Sequence, residues 1–406
     1  GSGVHTPHAI DAARRQRHSL LPLDPSDWRR LFLRNGAVRS APLPELHAMH
    51  PALRSQRPAV KGAHVTAVLV VPRYTSEALR LIRAVIEQPG ARVWLISDVG
   101  SYVLPEKMLH RLAGYWRVAD CSQQDQIVGA IGKLTAEHGH ADILLGTAPT
   151  LEPVLGEVRD ALAIPGPSAE AVRRFTDRAA MMDALRAAGL RVAADVDEPT
   201  EGAVTCTFEV MSISGVPAWW SATRHSRATP DASRTITLPR EGDDPADPAV
   251  RQMGLAALRA LGMASGLSEM TWLRYANGRP AIVEVQGRPP APEIMALMSQ
   301  AHGADMYKAW ANAAVRGLFA PIPRLAAAGY AAVGIEGSGE TVRAVHGWNE
   351  LAAELGDPVV EASLPAVGAK APAADAEPHV ILRHPDTTVV DEALQRVASG
   401  VRIELG

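Results

Sequence analysis

From Val65 onward, short apolar runs alternate with longer stretches in which apolar residues recur every three or four positions. VTAVLVVP, ARVWLISD and ADILLGT have the length and continuous apolarity of buried strands. SEALRLIRAVIEQ and DQIVGAIGKLTAEHG carry the helical spacing, and MLHRLAGYWRV continues the alternation. Helices threaded between such strands require parallel pairing through right-handed crossovers, so residues 63–166 predict a small Rossmann-like, doubly wound sheet.

Beyond Pro165 the pattern changes. A Gly-Pro turn and Ser168 open helical segments that end at Gly189. AVTCTFEVMSISGVPAWWSATRH then reads as a hairpin around Ser214-Gly215, and LSEMTWLRYANGRPAIVEVQGRPP as a second one turned at Asn277-Gly278. PAVRQMGLAALRALGM and EIMALMSQAHGADMYKAWANAAVRGLF are helical. From 319 to 406 short strands and helices follow as an α+β region, with GIEGSGE as a glycine-rich turn and GAKAPAADAEP as a Pro/Ala-rich linker. Residues 1–62 form an extension rich in Pro, Arg and His, with one short helix over DPSDWRRLFLRNG. The fold class is therefore α/β: a Rossmann-like domain at 63–166, an antiparallel sheet with helices at 167–318, and an α+β domain at 319–406.

Composition narrows the function. The 41 basic and 44 acidic side chains leave a net charge of -3, which gives no electrostatic case for nucleic acid or an anionic membrane. Two distant cysteines, Cys121 and Cys206, exclude a disulfide scaffold and fit a reducing cytoplasm. No apolar run approaches the roughly 20 residues of a membrane-spanning helix. The histidines of HGH at 138–140 and HTPH at 5–8 lack the company of a metal site. Lysine occurs only at 61, 107, 133, 308 and 370, so none stands between Lys133 and Lys308.

Three stretches in this order carry a resemblance to a known family: GPSAEAVRRFTDRAAMMDALRAAGLRV, DEPTEGAVTCTFEVMSISG, and LSEMTWLRYANGRPAIVEVQGRPP. Together they resemble the ATP-grasp superfamily over roughly residues 65–406. Such enzymes join a carboxylate to an amine or thiol through an acyl-phosphate. The resemblance implies a lysine-bearing lid over ATP, and two carboxylates for magnesium. Phosphoryl transfer to a carboxylate gathers several negative oxygens, which is why it needs both.

Set against that pattern, Glu284 stands at the bridging glutamate, Gln286 replaces an asparagine, and Arg288 matches the family's arginine. Thr271 takes the place of the second carboxylate, and a hydroxyl is a poor ligand for a hard cation. Glu269 lies on the same strand face, displaced by about 6 to 7 Å. Glu209 occupies a place where relatives hold substrate or metal, although a glutamate on an edge strand is commonly just solvated. Arg178 and Glu198 match the vestiges of an ATP site, although Arg178 reads more simply as one half of a surface pair with Asp177. Where the lid belongs, between Val192 and Asp197, only residues 193–196 remain.

Two functions follow. One is a homologue that has lost its chemistry and acts by binding, with no cofactor, a protein partner or second copy, and a small molecule in the cleft between the first and middle domains. The alternative is an ATP-dependent carboxylate–amine ligase using Mg-ATP, its lid supplied by a partner. On the first reading Glu284, Gln286 and Arg288 are a charged network, with Glu284 satisfied by arginine. On the second they are a metal and anion site.

Overall fold

The computed structural model describes residues 64–406, apart from 197–199, 201, 228–232, 244 and 374–375. The extension at 1–62 and Glu198 lie outside the described residues.

β1 (Val65–Val70) pairs in parallel with β2 (Ala91–Ser97) and with β4 (Ile143–Gly146), while β3 (Gly114–Arg117) flanks β2, giving the order β3-β2-β1-β4. Both faces are covered, which explains why β1 is apolar at every position but Thr66. α1 (Ser76–Ile86) begins where the Thr75 hydroxyl accepts a hydrogen bond from the Ala78 amide at 3.1 Å. Its apolar stripe, with Leu81, Ile82 and Val85, covers the face bearing Leu69 and Leu95. After the single turn α2 (Glu106–Leu109), α3 (Gln124–His138) and α4 (Glu152–Leu162) cover the face bearing Val68, Trp94 and Ile96.

α5 (Ala169–Thr176) and α6 (Arg178–Ala187) lead into the larger sheet. Its strands are β5 (Val204–Ile213), β6 (Val216–Arg227), β7 (Arg234–Leu238), β8 (Gly266–Arg274) and β9 (Pro280–Gln286), joined by β10 (Ala327–Ala332), β13 (Val359–Ser363) and β14 (His379–His384). The order is β13-β14-β10-β7-β6-β5-β8-β9. Strands from beyond residue 319 thus continue the sheet of the middle region, because the antiparallel edge left by β7 is paired by β10.

Both predicted hairpins form. Ser214 and Gly215 both take positive φ, 51° and 77°, the mirror-image turn that matches strand twist. At Asn277-Gly278 only Gly278 is left-handed, at 80°, and the Asn277 side chain accepts the Arg279 amide at 2.9 Å. The long helical stretch after β9 breaks at Gly303 into α8 (Pro292–His302) and α9 (Met306–Arg316).

One face of the large sheet, with Phe208, Val210, Met270, Trp272 and Ile282, is sealed by α6 and α7 (Pro248–Leu261). The opposite face shares a core with α1, α8, α9 and the parallel sheet through Met211, Leu267, Met295 and Trp310. A third sheet contains β11 (Gly334–Glu336), β12 (Val342–His346) and β15 (Arg402–Leu405), beside α10 (Trp348–Leu355) and α11 (Thr387–Gly400). GIEGSGE is therefore not the turn of a hairpin: β15 lies between β11 and β12. Gly337 permits this, since a Cβ there would stand 2.6 Å from the Leu405 carbonyl oxygen.

Candidate active site on the polar face of the large sheet

Strand alternation sets the side chains that meet on one face. Glu209 on β5 is cross-strand from Glu269 on β8, which is in turn opposite Gln286 on β9; one step along, Thr207 is opposite Thr271 and Thr271 opposite Glu284. All share one face of the sheet, and Thr223 and Ser221 of β6 extend it. The sequence places these residues there because Phe208, Val210, Met270 and Val285, at the alternate positions, form the opposite apolar face.

Glu209 is not a solvated edge residue. β5 is central, flanked by β6 and β8, and Glu209 is 0% exposed. Its Oε1 accepts a hydrogen bond from the Thr207 hydroxyl, which also meets Thr223, and Thr223 contacts His225 at 3.4 Å. Burial, with Glu269 as the next cause, holds the Glu209 carboxyl far above the usual range. Glu269, 7% exposed, is raised to about 7 by burial, against the opposing pull of the Arg288 charge. Among the described residues neither Glu209 Oε2 nor Glu269 Oε2 has a hydrogen-bond partner, although both are buried. Burial likewise lowers His225 to about 4, assisted by Arg234.

A cleft of about 360 Å³ opens beside this face. Glu284, Gln286 and Arg288 form one wall, and Thr150 and Glu152 at the carboxyl end of β4 form another. Phe175, Val172 and Met263 supply its apolar part. Gly287 lets the sheet approach the aromatic ring, as a Cβ there would lie 3.1 Å from Phe175 Cγ. Burial raises the Glu152 carboxyl, with the charges of Arg159 and Arg288 opposing.

Glu284 does point into a cleft, but among the described residues no cation lies within ion-pair distance of it. Arg288 instead donates to the Pro289 carbonyl at 3.3 Å, and its charge acts on Glu152 and Glu269. The expected arginine-satisfied Glu284 is not what forms: among the described residues the one hydrogen bond of the Arg288 guanidinium goes to the Pro289 carbonyl. Arg178 is exposed and absent from the cleft lining. Asp177 caps α6 through the Ala179 amide at 2.9 Å and pairs with Arg173 at 3.4 Å, not with Arg178. Where a lid was sought, Ala193–Asp195 makes one turn, clamped by paired contacts from Arg186 to Asp195 at 2.8 and 2.7 Å.

Glu152 escaped the sequence reading. Its signal was its position, since ligands of doubly wound sheets gather at the carboxyl ends of strands.

No family model matches the chain, and no curated protein matches it in sequence. Solved structures do match. An L-amino acid ligase from Bacillus licheniformis superposes with a TM-score of 0.63 at 14% identity, over 85% of this chain and 99% of its own. Phosphoribosylglycinamide synthetase from Anaerococcus prevotii gives 0.60 at 12% identity, over 84% and 100%. The biotin carboxylase domain dimer of 2-oxoglutarate carboxylase from Hydrogenobacter thermophilus, solved with MgADP, ADP and bicarbonate, gives 0.54 at 12%, over 83% and 91%. The chain has the ATP-grasp fold. At these identities the likeness is one of fold. Among the described residues no helix is long and apolar enough to cross a membrane.

Proposed function

We propose that this protein is an ATP-dependent carboxylate–amine ligase that works on the polar face of β5, β8 and β9. The observation that carries the reading is the buried pair Glu209 and Glu269, each with an unpartnered oxygen. Two adjacent carboxyls out of water are costly, and apolar replacements of similar size are often neutral or stabilising. A chain relieved of chemistry has no physical reason to keep them. The enzymes that share the fold support the same reading over the binding-only one.

The residues fit a magnesium nucleotide in donor chemistry. Among the described residues no three His, Cys, Asp or Glu side chains cluster as a complete metal site. Magnesium commonly takes only one or two protein carboxylates and draws its other ligands from phosphate and water. Glu284, with the Gln286 carbonyl and the orphaned Glu269 oxygen nearby, would hold it. When bound, Mg-ATP supplies the phosphoryl group that turns a carboxylate into an acyl-phosphate, releasing ADP. The protein's part is to orient the substrates, to stabilise negative charge through Arg288, and to accept the proton that the amine loses as the amide forms and phosphate leaves. Cover for the phosphates would come from a partner or second copy, as residues 193–203 are too few to supply it.

One observation favours a second reading, a binding protein without turnover: the missing lid and the lysine-free span from 134 to 307. Calorimetry with ATP and magnesium, followed by an ADP-release assay over a panel of carboxylates and amines, separates the two. Metal-dependent binding and ADP release together support the ligase, and saturable binding without ADP supports the second reading. No ATP binding refutes the ligase and leaves the second reading, which needs no cofactor.

A further inference from the structure

A second group of oxygens lies outside the cleft, on β5, β6 and β8: Thr207, Glu209, Thr223 and Glu269 are not among the residues that line it. Strand pairing puts Glu209 directly opposite Glu269, and Thr207 directly opposite Thr223. Glu209 and Thr223 are 0% exposed, Thr207 2% and Glu269 7%. The Thr207 hydroxyl donates to Glu209 Oε1 and meets the Thr223 hydroxyl. Oε2 of Glu209 and Oε2 of Glu269 are left buried without a hydrogen-bond partner, and neither side chain forms an ion pair among the described residues. Residues directly opposite hold their Cβ atoms about 4.5 to 5.5 Å apart, so the two carboxyls are close neighbours. Two such groups out of water call for a compensating charge.

The group offers an occupant oxygen atoms alone. Among the described residues no three His, Cys, Asp or Glu side chains gather, which argues against a transition metal. Magnesium gives up its waters reluctantly, whereas potassium exchanges its hydration shell for protein oxygens. The charges point the same way. Arg324 acts on Glu209 and Arg288 on Glu269, so the pair is already partly offset and one further positive charge suffices.

We propose that Glu209, Glu269, Thr207 and Thr223 bind a monovalent metal cation of sodium or potassium size. The ion stands between the two carboxylates and takes the hydroxyl oxygens as further ligands. It needs no nucleotide, so this site goes beyond the ligase reading and does not rest on it. Only Glu269 is shared with the proposed magnesium position, and a carboxylate can bridge two cations.

The test uses the full chain without nucleotide or magnesium. Thermal unfolding is followed as tetramethylammonium chloride, whose cation is too large for the site, is exchanged for potassium or sodium chloride at constant ionic strength, which holds screening fixed. A saturable rise in the midpoint of about 2 °C or more is expected with at least one of the metal cations. Glu209→Gln and Thr223→Val are expected to lose the rise, and Thr223→Ser and Glu284→Gln to keep it. Should a variant not fold, wild-type crystals soaked in rubidium chloride are expected to show an anomalous-scattering peak between Glu209 and Glu269; its absence overturns the proposal. So do equal midpoints in all three salts, or a rise that survives both Glu209→Gln and Thr223→Val. A rise that magnesium alone produces and Glu284→Gln removes assigns the pair to the nucleotide's metal and also overturns it. A potassium- or sodium-dependent rise without any ADP release would sink the ligase reading but leave this site standing; ADP release without the rise would do the reverse.

Discussion

Replacing Glu269 with glutamine removes a charge while keeping shape, and so isolates what the buried carboxyl does to stability. Glu269 is 7% exposed and its pKa rises from the ordinary 4.5 to about 7, mainly through burial. The folded state therefore holds this proton more tightly than the unfolded chain. Stability falls as pH climbs from about 4.5 to about 7, and the loss persists above that. At about 1.4 kcal/mol per pH unit the full penalty is about 3 kcal/mol. Glu269→Gln escapes it, and its amide can donate toward the unpartnered oxygen of Glu209. Urea unfolding without ligands is expected to show the variant up to about 3 kcal/mol more stable at pH 8, and within about 1 kcal/mol of wild type at pH 5. A difference of equal size at both pH values, or a variant less stable at pH 8, would refute the account of Glu269 as a carboxyl charged at a cost. The same substitution is expected to weaken Mg-dependent ATP binding, since the group that destabilises the fold is the one proposed to serve the ligand.

Glu209→Gln and Glu269→Gln together should stabilise less than the sum of the two singles at pH 8, because each relieves the same repulsion; a double-mutant cycle reads the difference, and strict additivity would deny the coupling. Gly254→Val is expected to destabilise by about 1 to 3 kcal/mol or more, since even a Cβ there falls 2.5 Å from Phe208 Cδ1; an unchanged unfolding midpoint would contradict that packing. Ser168→Ala removes the hydroxyl that accepts the Ala171 amide at 3.2 Å at the start of α5, and should cost about 1 kcal/mol, read as a lower thermal midpoint. Gly287→Leu should crowd Phe175 and close the cleft, weakening Mg-dependent ATP binding with little change in far-ultraviolet circular dichroism.

The two hairpins and the βαβ order were legible because each depends on local chemistry: alternating apolar positions, Ser214-Gly215 and Asn277-Gly278 at the turns, and a capping hydroxyl at Ser168. Spacing alone also put Glu284, Gln286 and Arg288 at one strand end. Depth was not legible. Whether β5 was an edge or a centre depended on β6 and β8 pairing on both sides, and that pairing turned Glu209 from a solvated glutamate into a buried carboxyl facing Glu269. Nor could sequence distance bring Glu152, at the end of β4, to the same cleft as Glu284 on β9. The sequence by itself determined most of the elements, the face on which each side chain stands and the shortness of the connection between Val192 and β5. Only the tertiary structure decided which charges lost their water and which other charges stand near them. Desolvation and Coulomb attraction depend on separation in space, and residues far apart along the chain set that separation here.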